Sequence, residues 1–254
     1  MRIISLAPTQ TEIIASLGKL DWLMGITENC DFPESISGLP TYGSWYAPDL
    51  NRVMEAKPDL VCTFGKHQEE MAQALREAGF EAYHSDPGTV GESLATFLEM
   101  AEAMDCPGEG LRVVGSLQER LDRVALKLEK NARGSRPSVF RIMHWRPLIT
   151  IGPGAFQFDV VEVAGGRNLM LPDGGSAYFV CEPGEAISQN PEVIFFCEPF
   201  IEPILQRDPL WQKVSAVKNG RIFIFDCGLT CRSGPRIVDM VEELAKALHP
   251  ECNF

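Results

Sequence analysis

One loop of the chain brings together several side chains that are capable of chemistry. Residues 226–236, DCGLTCRSGPR, contain two cysteines, a threonine and two arginines directly after the apolar run RIFIF. Such a loop could hold a metal ion, form a disulfide or line the rim of a pocket for a larger ligand. Thiolates favour zinc, copper(I) or iron–sulfur clusters, but the C-x-x-x-C spacing of Cys227 and Cys231 is a weaker signal than paired C-x-x-C motifs.

Aromatic side chains are the second group with binding potential. Trp45 follows a glycine in a polar loop, where packing and ligand contact are equally consistent with the sequence. Trp145 ends a predicted strand together with Arg146 and Pro147, and this position favours a ligand contact. Trp211 precedes a helix-to-strand turn and is expected in the core.

The alternation of strand-like and helix-like segments predicts an α/β protein with parallel sheets. The predicted strands are Arg2–Leu6, Leu23–Ile26, Leu60–Thr63, Glu81–His84, Ser138–Met143, Val193–Cys197 and Arg221–Phe225. The predicted helices include Leu50–Ala56, Gln68–Ala78, Phe158–Ala164 and Ile237–Leu248. Thr9 and Glu12 have the spacing of a capping box, which would open a further helix that stops at Gly18.

The segment between the two halves has the periodicity of one long helix. From Gly110 to Ala132, leucine and valine recur every three or four residues on one face. The segments VMEAKPDLVCTF and AISQNPEVIFFC share one plan, a helix ended by proline and followed by an acid-led strand. We therefore predict two lobes, residues 1–109 and 135–254, joined by a helix over residues 110–134.

Composition and charge exclude several classes of function for this chain of 254 residues. The net charge of −12 disfavours nucleic acid and anionic membrane surfaces, because both attract Lys and Arg. No apolar run approaches the roughly 20 residues that span a bilayer, so membrane insertion is not expected. The sequence lacks a nucleophile elbow, a phosphate-binding glycine-rich loop and an H-E-x-x-H motif, so no enzyme is expected. A pair of Cys30 or Cys62 with His144 is the catalytic arrangement left open.

The N-terminus and the cysteines predict the compartment. The start, MRIISLAPTQTEIIASLG, has neither the long apolar core nor the small-residue cleavage site of a secretory leader. The eight cysteines are irregularly spaced, which favours free thiols in a reducing compartment over a disulfide framework. We therefore expect a cytoplasmic protein, with a periplasmic or extracellular location as the alternative if a leader has been removed.

Seven motifs cover nearly the whole chain in a fixed order: RIISLAPTQTEIIASLG, CDFP, LNRVMEAKPDLV, TIGPGAFQFDVVEVAGGRNL, NPEVIFF, WQKVSAVKNGRIFIFD and SGPRIVDMVEELAKAL. By these motifs the chain resembles the helix-linked (class III) periplasmic-binding-protein family, which serves ABC importers of cobalamin, iron siderophores and haem. The cobalamin-binding branch is the most similar, and within it the leaderless members with a tail like His249–Glu251. The resemblance implies two Rossmann-like lobes with a ligand cleft between them.

The resemblance also implies a corrinoid, or a related tetrapyrrole or metal chelate, as the ligand of that cleft. Ligands of open α/β sheets lie beyond the carboxyl ends of the strands. Aromatic walls suit a large flat ligand, because stacking and apolar burial both stabilise the complex. Arg236 is either a polar anchor for the ligand or a cap of a nearby helix. The expected ligand contacts are Trp45, Tyr46, Phe64, His67, His144, Trp145, Arg146, Tyr178, Phe200, Arg232 and Arg236.

The cysteines support an alternative function. The repeated segments place Cys62 and Cys197 at equivalent positions, and the resemblance adds three more cysteines at the cleft. Convergent thiols, with His144 as an extra imidazole, would bind a metal ion or an iron–sulfur cluster in a cytosolic metal-handling protein. The opposing interpretation is that buried cysteines act as small hydrophobic residues. The candidate metal ligands are Cys30, Cys62, Cys197, Cys227 and Cys231.

Two departures from the family concern its transporter. Members that dock to an importer carry an exposed glutamate on each lobe, and Asn51 and Gly184 stand at those positions here. Glu182 and Glu185 flank the second position, so its loss is less clear-cut than the first. The departure at Asn51 and the missing leader argue against delivery to an ABC permease. We therefore predict a monomer that binds a small molecule, with the role of an importer's soluble component left open.

Overall fold

The computed structural model describes residues 1–132, 134–169 and 176–254. They fall into two compact units. The first comprises Met1–Pro87, Gly91–Leu117 and Arg232–Pro235, and the second comprises Gly88–Val90, Gln118–Cys231 and Arg236–Phe254. Among the described residues, no helix combines the length and the hydropathy that crossing a membrane requires.

A parallel sheet of four strands organises the first unit. Its strands are β1 (Ile3–Ser5), β2 (Leu23–Gly25), β3 (Leu60–Phe64) and β4 (Ala82–Ser85). They pair in the order β2–β1–β3–β4. Three helices lie wholly in this unit, namely α1 (Pro8–Ser16), α2 (Leu50–Glu55) and α3 (Glu69–Glu77). The unit also contains α4 (Val90–Ala103) from its second residue onward, and α5 (Pro107–Asn131) as far as Leu117. One face of the sheet packs on a core formed by Ile4, Leu6, Tyr42, Val53, Val61 and Leu75.

The second unit contains a parallel sheet of the same size and a short antiparallel ribbon. Its strands are β5 (Ser138–Arg141), β6 (Ile149–Ile151), β7 (Arg167–Asn168), β8 (Tyr178–Val180), β9 (Val193–Phe196) and β10 (Ile222–Ile224). The parallel sheet has the order β10–β9–β5–β7, and β6 pairs with β8. The helices are α6 (Phe156–Val163), α7 (Pro183–Ser188), α8 (Ile201–Arg207), α9 (Ser215–Lys218), α10 (Cys227–Thr230) and α11 (Ile237–Leu248). The predicted α/β class with two parallel sheets is thus confirmed.

The long helix expected between the halves is α5, which begins three residues earlier than the periodicity indicated. Leu117, Leu121 and Val124 are buried as the apolar face requires, whereas Leu111 is 65% exposed. The apolar face is therefore covered along its later turns only. The boundaries 1–109, 110–134 and 135–254 stay a prediction, and residues 133 and 170–175 of those ranges lie outside the described part of the chain.

The two repeated segments end their helices in the same way. Lys57 after α2 and Asn190 after α7 both have positive φ, of 50° and 49°. A left-handed residue after a helix lets its N–H reach a late carbonyl of the last turn, here those of Met54 and Ile187. The proline that follows each residue cannot continue the helix, and the chain then enters β3 or β9.

The predicted capping box at the first helix is wrong. Helix α1 begins at Pro8 with Ala7 as its N-cap, and no side chain caps it. Proline is well suited to the first helical position, because its fixed φ is helical and it has no N–H to satisfy. Glu12 instead lies inside α1, fully buried, and pairs with Arg232 at 2.8 Å.

Candidate functional site

An aromatic cluster stands at one edge of the first unit. The rings of Trp45, Tyr46 and His67, called here the Trp45 cluster, lie within 5.6 Å of one another, centroid to centroid. The Trp45 and His67 rings meet edge to face at 4.3 Å. Tyr46 is 72% exposed, which makes the cluster accessible from solvent.

Hydrogen bonds from Gln68 connect the Trp45 cluster to the sheet, and Asn29 adds a further hydrogen bond to Trp45. Gln68 Nε2 donates to the carbonyl oxygens of Trp45 at 2.8 Å and Leu6 at 2.9 Å. Its Oε1 accepts from the Phe64 N–H at 2.9 Å, and Asn29 Oδ1 accepts from the Trp45 N–H at 2.7 Å. Leu6 and Phe64 lie at the carboxyl ends of β1 and β3, the edge at which ligands of open α/β sheets bind.

Gln68 and Asn29 were missed as site residues by the sequence patterns. Gln68 precedes the amphipathic helix α3, and a polar side chain there has the same pattern as a surface residue. Its burial follows only from the fold. Phe64, a predicted ligand contact, is buried at the end of β3, and its contact with a ligand stays a prediction.

Arg232 is engaged within the first unit. Its guanidinium donates to the Glu12 carboxylate at 2.8 Å, to the Asp31 carboxylate at 2.6 Å and to the Asn29 carbonyl at 3.4 Å. The two carboxylates raise the pKa of Arg232 further above its already high value, against the opposing effect of burial. A ligand contact by Arg232 stays a prediction, but its first role is to neutralise a buried glutamate.

The predicted contacts after β5 are arranged around Trp145. Its ring packs against that of buried Trp211 at 6.1 Å, on the core of the second unit. Trp211 is therefore a core residue, as expected. His144 and Arg146 are exposed on either side of Trp145, and His144 Nε2 lies 2.7 Å from the Arg146 carbonyl oxygen.

The remaining predicted contacts of the second unit come from three different elements. Tyr178 on β8 donates its hydroxyl to Gln157 Oε1 at 2.9 Å. Phe200 is 55% exposed at the start of α8. Arg236 is the N-cap residue of α11. Its Nη2 atom lies 2.8 Å from the position that a Cβ on Gly228 would occupy. Whether these residues contact a ligand stays a prediction.

The five candidate cysteines are divided between the two units, with Cys30 and Cys62 in the first and Cys197, Cys227 and Cys231 in the second. Cys30 is buried in the first unit, where Thr11 donates to its sulfur at 3.2 Å. Cys62 lies within β3, and burial raises the pKa of its thiol to about 12. Cys62 is the fourth residue after Pro58, but Cys197 is the sixth after Pro191. The predicted equivalence of Cys62 and Cys197 is wrong, since one is inside its strand and the other follows it.

The other three cysteines do come together in the second unit. The sulfur atoms of Cys197, Cys227 and Cys231, called here the thiol cluster, lie within 4.8 Å of one another. The Cys197 and Cys231 sulfurs are 3.9 Å apart. Cys197 directly follows β9 and Cys227 begins α10 after β10. Neighbouring strands therefore deliver the cluster to the carboxyl edge of their sheet, while His144 is not among its members.

A buried guanidinium borders the thiol cluster. Arg141, at the end of β5, is 1% exposed, and its Nη2 lies 3.5 Å from the sulfurs of both Cys197 and Cys231. Hydrogen bonds from Cys227 and Cys231, with the charge of Arg141, lower the pKa of the Cys197 thiol. The pKa of Cys227 is raised in turn, because its proton is held by its sulfur neighbours. The pKa of Cys231 is raised as well, so Cys197 is the thiol of the cluster that loses its proton most readily.

The sequence profile of the family described as Periplasmic binding protein matches residues 3–227. The chain belongs to the periplasmic binding protein family. Family members are substrate-binding proteins of transporters and not enzymes, so this periplasmic binding protein binds a small ligand, and the expectation of a non-enzymatic role is confirmed.

Three relatives illustrate the position of this periplasmic binding protein in the family. It is 27% identical over 256 residues to the uncharacterized ABC transporter substrate-binding lipoprotein YvrC of Bacillus subtilis, covering 98% of this chain and 80% of YvrC. It is 27% identical over 252 residues to the vitamin B12-binding protein of Vibrio campbellii, covering 96% and 88% of the two chains. The crystal structure of the periplasmic vitamin B12 binding protein BtuF of Vibrio cholerae superposes with a TM-score of 0.85 at 26% identity, covering 98% and 97%. The resemblance to the helix-linked class, in the branch that contains vitamin B12-binding proteins, is confirmed.

The expected cytoplasmic location is wrong. The relatives of this periplasmic binding protein include a lipoprotein and a protein described as periplasmic, which points to an extracytoplasmic location. Strand β1 begins at Ile3, but the position of the first strand carries no information about the compartment of the protein.

Proposed function

We propose that this protein binds a corrinoid, or a related tetrapyrrole or metal chelate, as the substrate-binding component of an ABC importer. The observation that carries the proposal is the Trp45 cluster, an accessible group of rings anchored to the carboxyl ends of β1 and β3. The vitamin B12-binding proteins among its relatives, which match over almost the whole chain, support the choice of a corrinoid.

Exposed aromatic side chains are the physical basis of this proposal. Tyr46, Tyr178 and Phe200 are among the large apolar side chains that solvent reaches in the described part of the chain. Aromatic rings in contact with water gain from covering a flat apolar surface, by burial and by stacking. A corrin ring offers such a surface, and its amide side chains could accept hydrogen bonds from exposed Arg146 or donate to carbonyl groups.

The decisive experiment is an absorbance spectrum of the purified protein before and after incubation with cobalamin and desalting. We expect corrin bands to remain with the protein at one equivalent per chain. Loss of all corrin bands on desalting, together with no heat of binding by calorimetry, would contradict a corrinoid ligand. Haem titration of the same sample then distinguishes the related tetrapyrroles.

Substitutions of exposed rings locate the binding surface without endangering the fold. We expect Tyr46→Ala and Phe200→Ala each to weaken cobalamin binding by about tenfold, since each removes roughly one ring's stacking and burial. Trp22→Ala is the matched control, because Trp22 precedes β2 and so lies at the opposite, amino end of the first sheet. Equal affinities of the three variants and the wild type, measured by calorimetry, would refute the assigned surface.

The two docking positions stay part of the proposal. Asn51 is exposed in the first turn of α2, and Gly184 is exposed in the first turn of α7, where an added Cβ meets no other atom. Glu185 is engaged locally, because its carboxylate accepts from the Glu182 N–H at 3.2 Å. We propose that any permease contact at these positions relies on polar groups other than the usual pair of glutamates.

A further inference from the structure

The thiol cluster is not used by the proposed ligand function and requires its own explanation. Three cysteines from two separate segments gather beside a buried arginine at the carboxyl edge of the second sheet. We propose that Cys197, Cys227 and Cys231 form a three-thiolate site for one thiophilic divalent cation, such as Zn²⁺ or Cd²⁺, whose fourth coordination position is open.

The spacing of the sulfur atoms fits a single ion. With a zinc–sulfur bond of about 2.3 Å and tetrahedral angles, two sulfur ligands lie about 3.8 Å apart. The Cys197 and Cys231 sulfurs are already 3.9 Å apart, and the Cys227 sulfur lies within 4.8 Å of both. Cys227 is the exposed member of the cluster, and rotation of its side chain is the adjustment that the triangle would require.

The local backbone holds two of the ligands in place. Cys227 and Cys231 are one helical turn apart, and the Cys231 N–H donates to the Cys227 carbonyl at 2.9 Å. Residues four apart on a helical turn present their side chains to the same side. Cys197 then approaches from the neighbouring strand β9, so three sulfurs meet without a long loop between them.

The charge of the surroundings selects a divalent ion. Arg141 is almost fully buried and, among the described residues, forms no ion pair with a carboxylate. Its Nε and Nη1 atoms find no acceptor in that part of the chain. An unpaired buried cation is costly, so the site favours anions next to it. Three thiolates, the guanidinium and a divalent cation together carry no net charge, whereas copper(I) would leave one negative charge.

The number of protein ligands indicates an exchangeable ion. Structural zinc sites are usually closed by four protein ligands, while three protein ligands leave a position for water or another donor. Among the described residues, no fourth Cys, His, Asp or Glu joins this cluster. Cys227 is exposed, so solvent and exchanging ligands reach at least one sulfur of the proposed site.

The binding reaction releases protons, which gives a readout independent of colour. Three thiols and one divalent ion yield one tris-thiolate complex and up to three protons, with no change of oxidation state. Cobalt(II) is a suitable probe for zinc, because its thiolate complexes show a sulfur-to-metal charge-transfer band. We expect reduced, metal-free protein to bind one Co²⁺ per chain with this band, and Zn²⁺ to displace the Co²⁺.

Serine substitutions test which sulfurs bind. Cys197→Ser, Cys227→Ser and Cys231→Ser should each weaken Co²⁺ binding at least tenfold and reduce the charge-transfer band. Cys181→Ser is the matched control, since Cys181 is buried in the same unit outside the cluster. Cys227→Ser is the most informative variant, because Cys227 is exposed and its substitution leaves the core intact.

Two results would overturn the site. One is a reduced wild-type protein that gives no charge-transfer band and releases no protons with Co²⁺. The other is a band that Cys227→Ser leaves unchanged or that Cys181→Ser removes equally. Cobalamin retention, measured on the same samples, reports the proposed ligand function separately, so either function can fail while the other stands.

Discussion

Glu12 shows at the residue scale how a buried charge is accommodated in the first unit. Its side chain is fully buried in α1, and Arg232 donates to it at 2.8 Å. Arg232 also pairs with Asp31 at 2.6 Å, but that carboxylate is 69% exposed. A buried carboxylate is tolerated only with a charged partner, whereas an exposed pair contributes little. The pair therefore ties the segment Arg232–Pro235 to α1.

Substitution of the two acids should separate these contributions. We expect Glu12→Ala to lower the free energy of unfolding by about 3 to 5 kcal/mol, because the only carboxylate it leaves in the ion pair of the mostly buried Arg232 is the exposed Asp31. Asp31→Ala, the control, should cost about 1 kcal/mol or less. Urea denaturation followed by circular dichroism measures both, and equal losses would show that burial of Glu12 does not determine the effect.

The turn AGGRN, residues 164–168, shows at the element scale how close packing restricts which amino acids a position accepts. Gly165 ends α6 with φ of 84°, which a residue with a side chain adopts only with strain. Gly166 packs where β5, α6 and α11 meet, and a Cβ there would lie within 3.0 Å of side chains of Val139, Val161 and Leu248. The helix stop predicted after Ala164 is confirmed, but the packing at Gly166 was not evident from the sequence.

A single methyl group at this junction should be destabilising. We expect Gly166→Ala to cost about 1 to 3 kcal/mol of unfolding free energy, the usual effect of overfilling a packed core. Gly184→Ala is the control, since a Cβ there meets no atom and alanine favours a helix. Thermal unfolding should show a lower Tm for the first variant alone; an unchanged Tm for Gly166→Ala would contradict the tight packing.

Helices α5 and α11 are connected by an ion-pair network. Arg120 on α5 donates to Glu242 at 2.6 Å and to Asp239 at 2.5 Å. The hydrogen bond from Arg120 holds the pKa of Glu242 below its usual value of 4.5. A carboxyl group whose pKa is lowered on folding stabilises the protein above its unfolded pKa, and this stabilisation is lost as the pH falls through the folded pKa.

The network should therefore fail in acid. We expect Arg120→Ala to be less stable than the wild type at pH 7, and the difference to shrink as the pH falls from about 4.5 through the lower folded pKa of Glu242. Lys246→Ala removes an exposed pair with Glu243 and serves as the control, with little effect at any pH. Urea titrations at several pH values test this, and a difference that grows in acid would contradict it.

The chain as a whole combines a negative net charge with the fold of a transporter's binding protein. The charge of −12 is consistent with a protein whose partners are small molecules and not nucleic acid. Family membership gives the class of function and corrects the compartment, whereas the corrinoid and the metal ion are proposals about particular surfaces. The two surfaces belong to different sets of residues, so each can be tested alone.

Local patterns were sufficient to predict seven of the strands in the described part of the chain, but they did not indicate the short strands β6, β7 and β8. Strand and helix periodicities follow from backbone geometry over a few residues, and α11 matched its predicted limits, Ile237–Leu248. The family motifs and their order could likewise be read from the sequence. The aromatic residues near strand ends were named as ligand contacts from the same local patterns, and those contacts stay a prediction.

Only the tertiary structure decided which side chains meet. Three of the five candidate cysteines gather because β9 lies between β10 and β5, an order that no local pattern contains. That strand order also places Arg141 against their sulfurs, 56 residues before Cys197. The burial of Gln68 beneath Trp45 has the same origin. Such contacts join residues distant in the chain, and they depend on the pairing of whole strands and not on the spacing of neighbours.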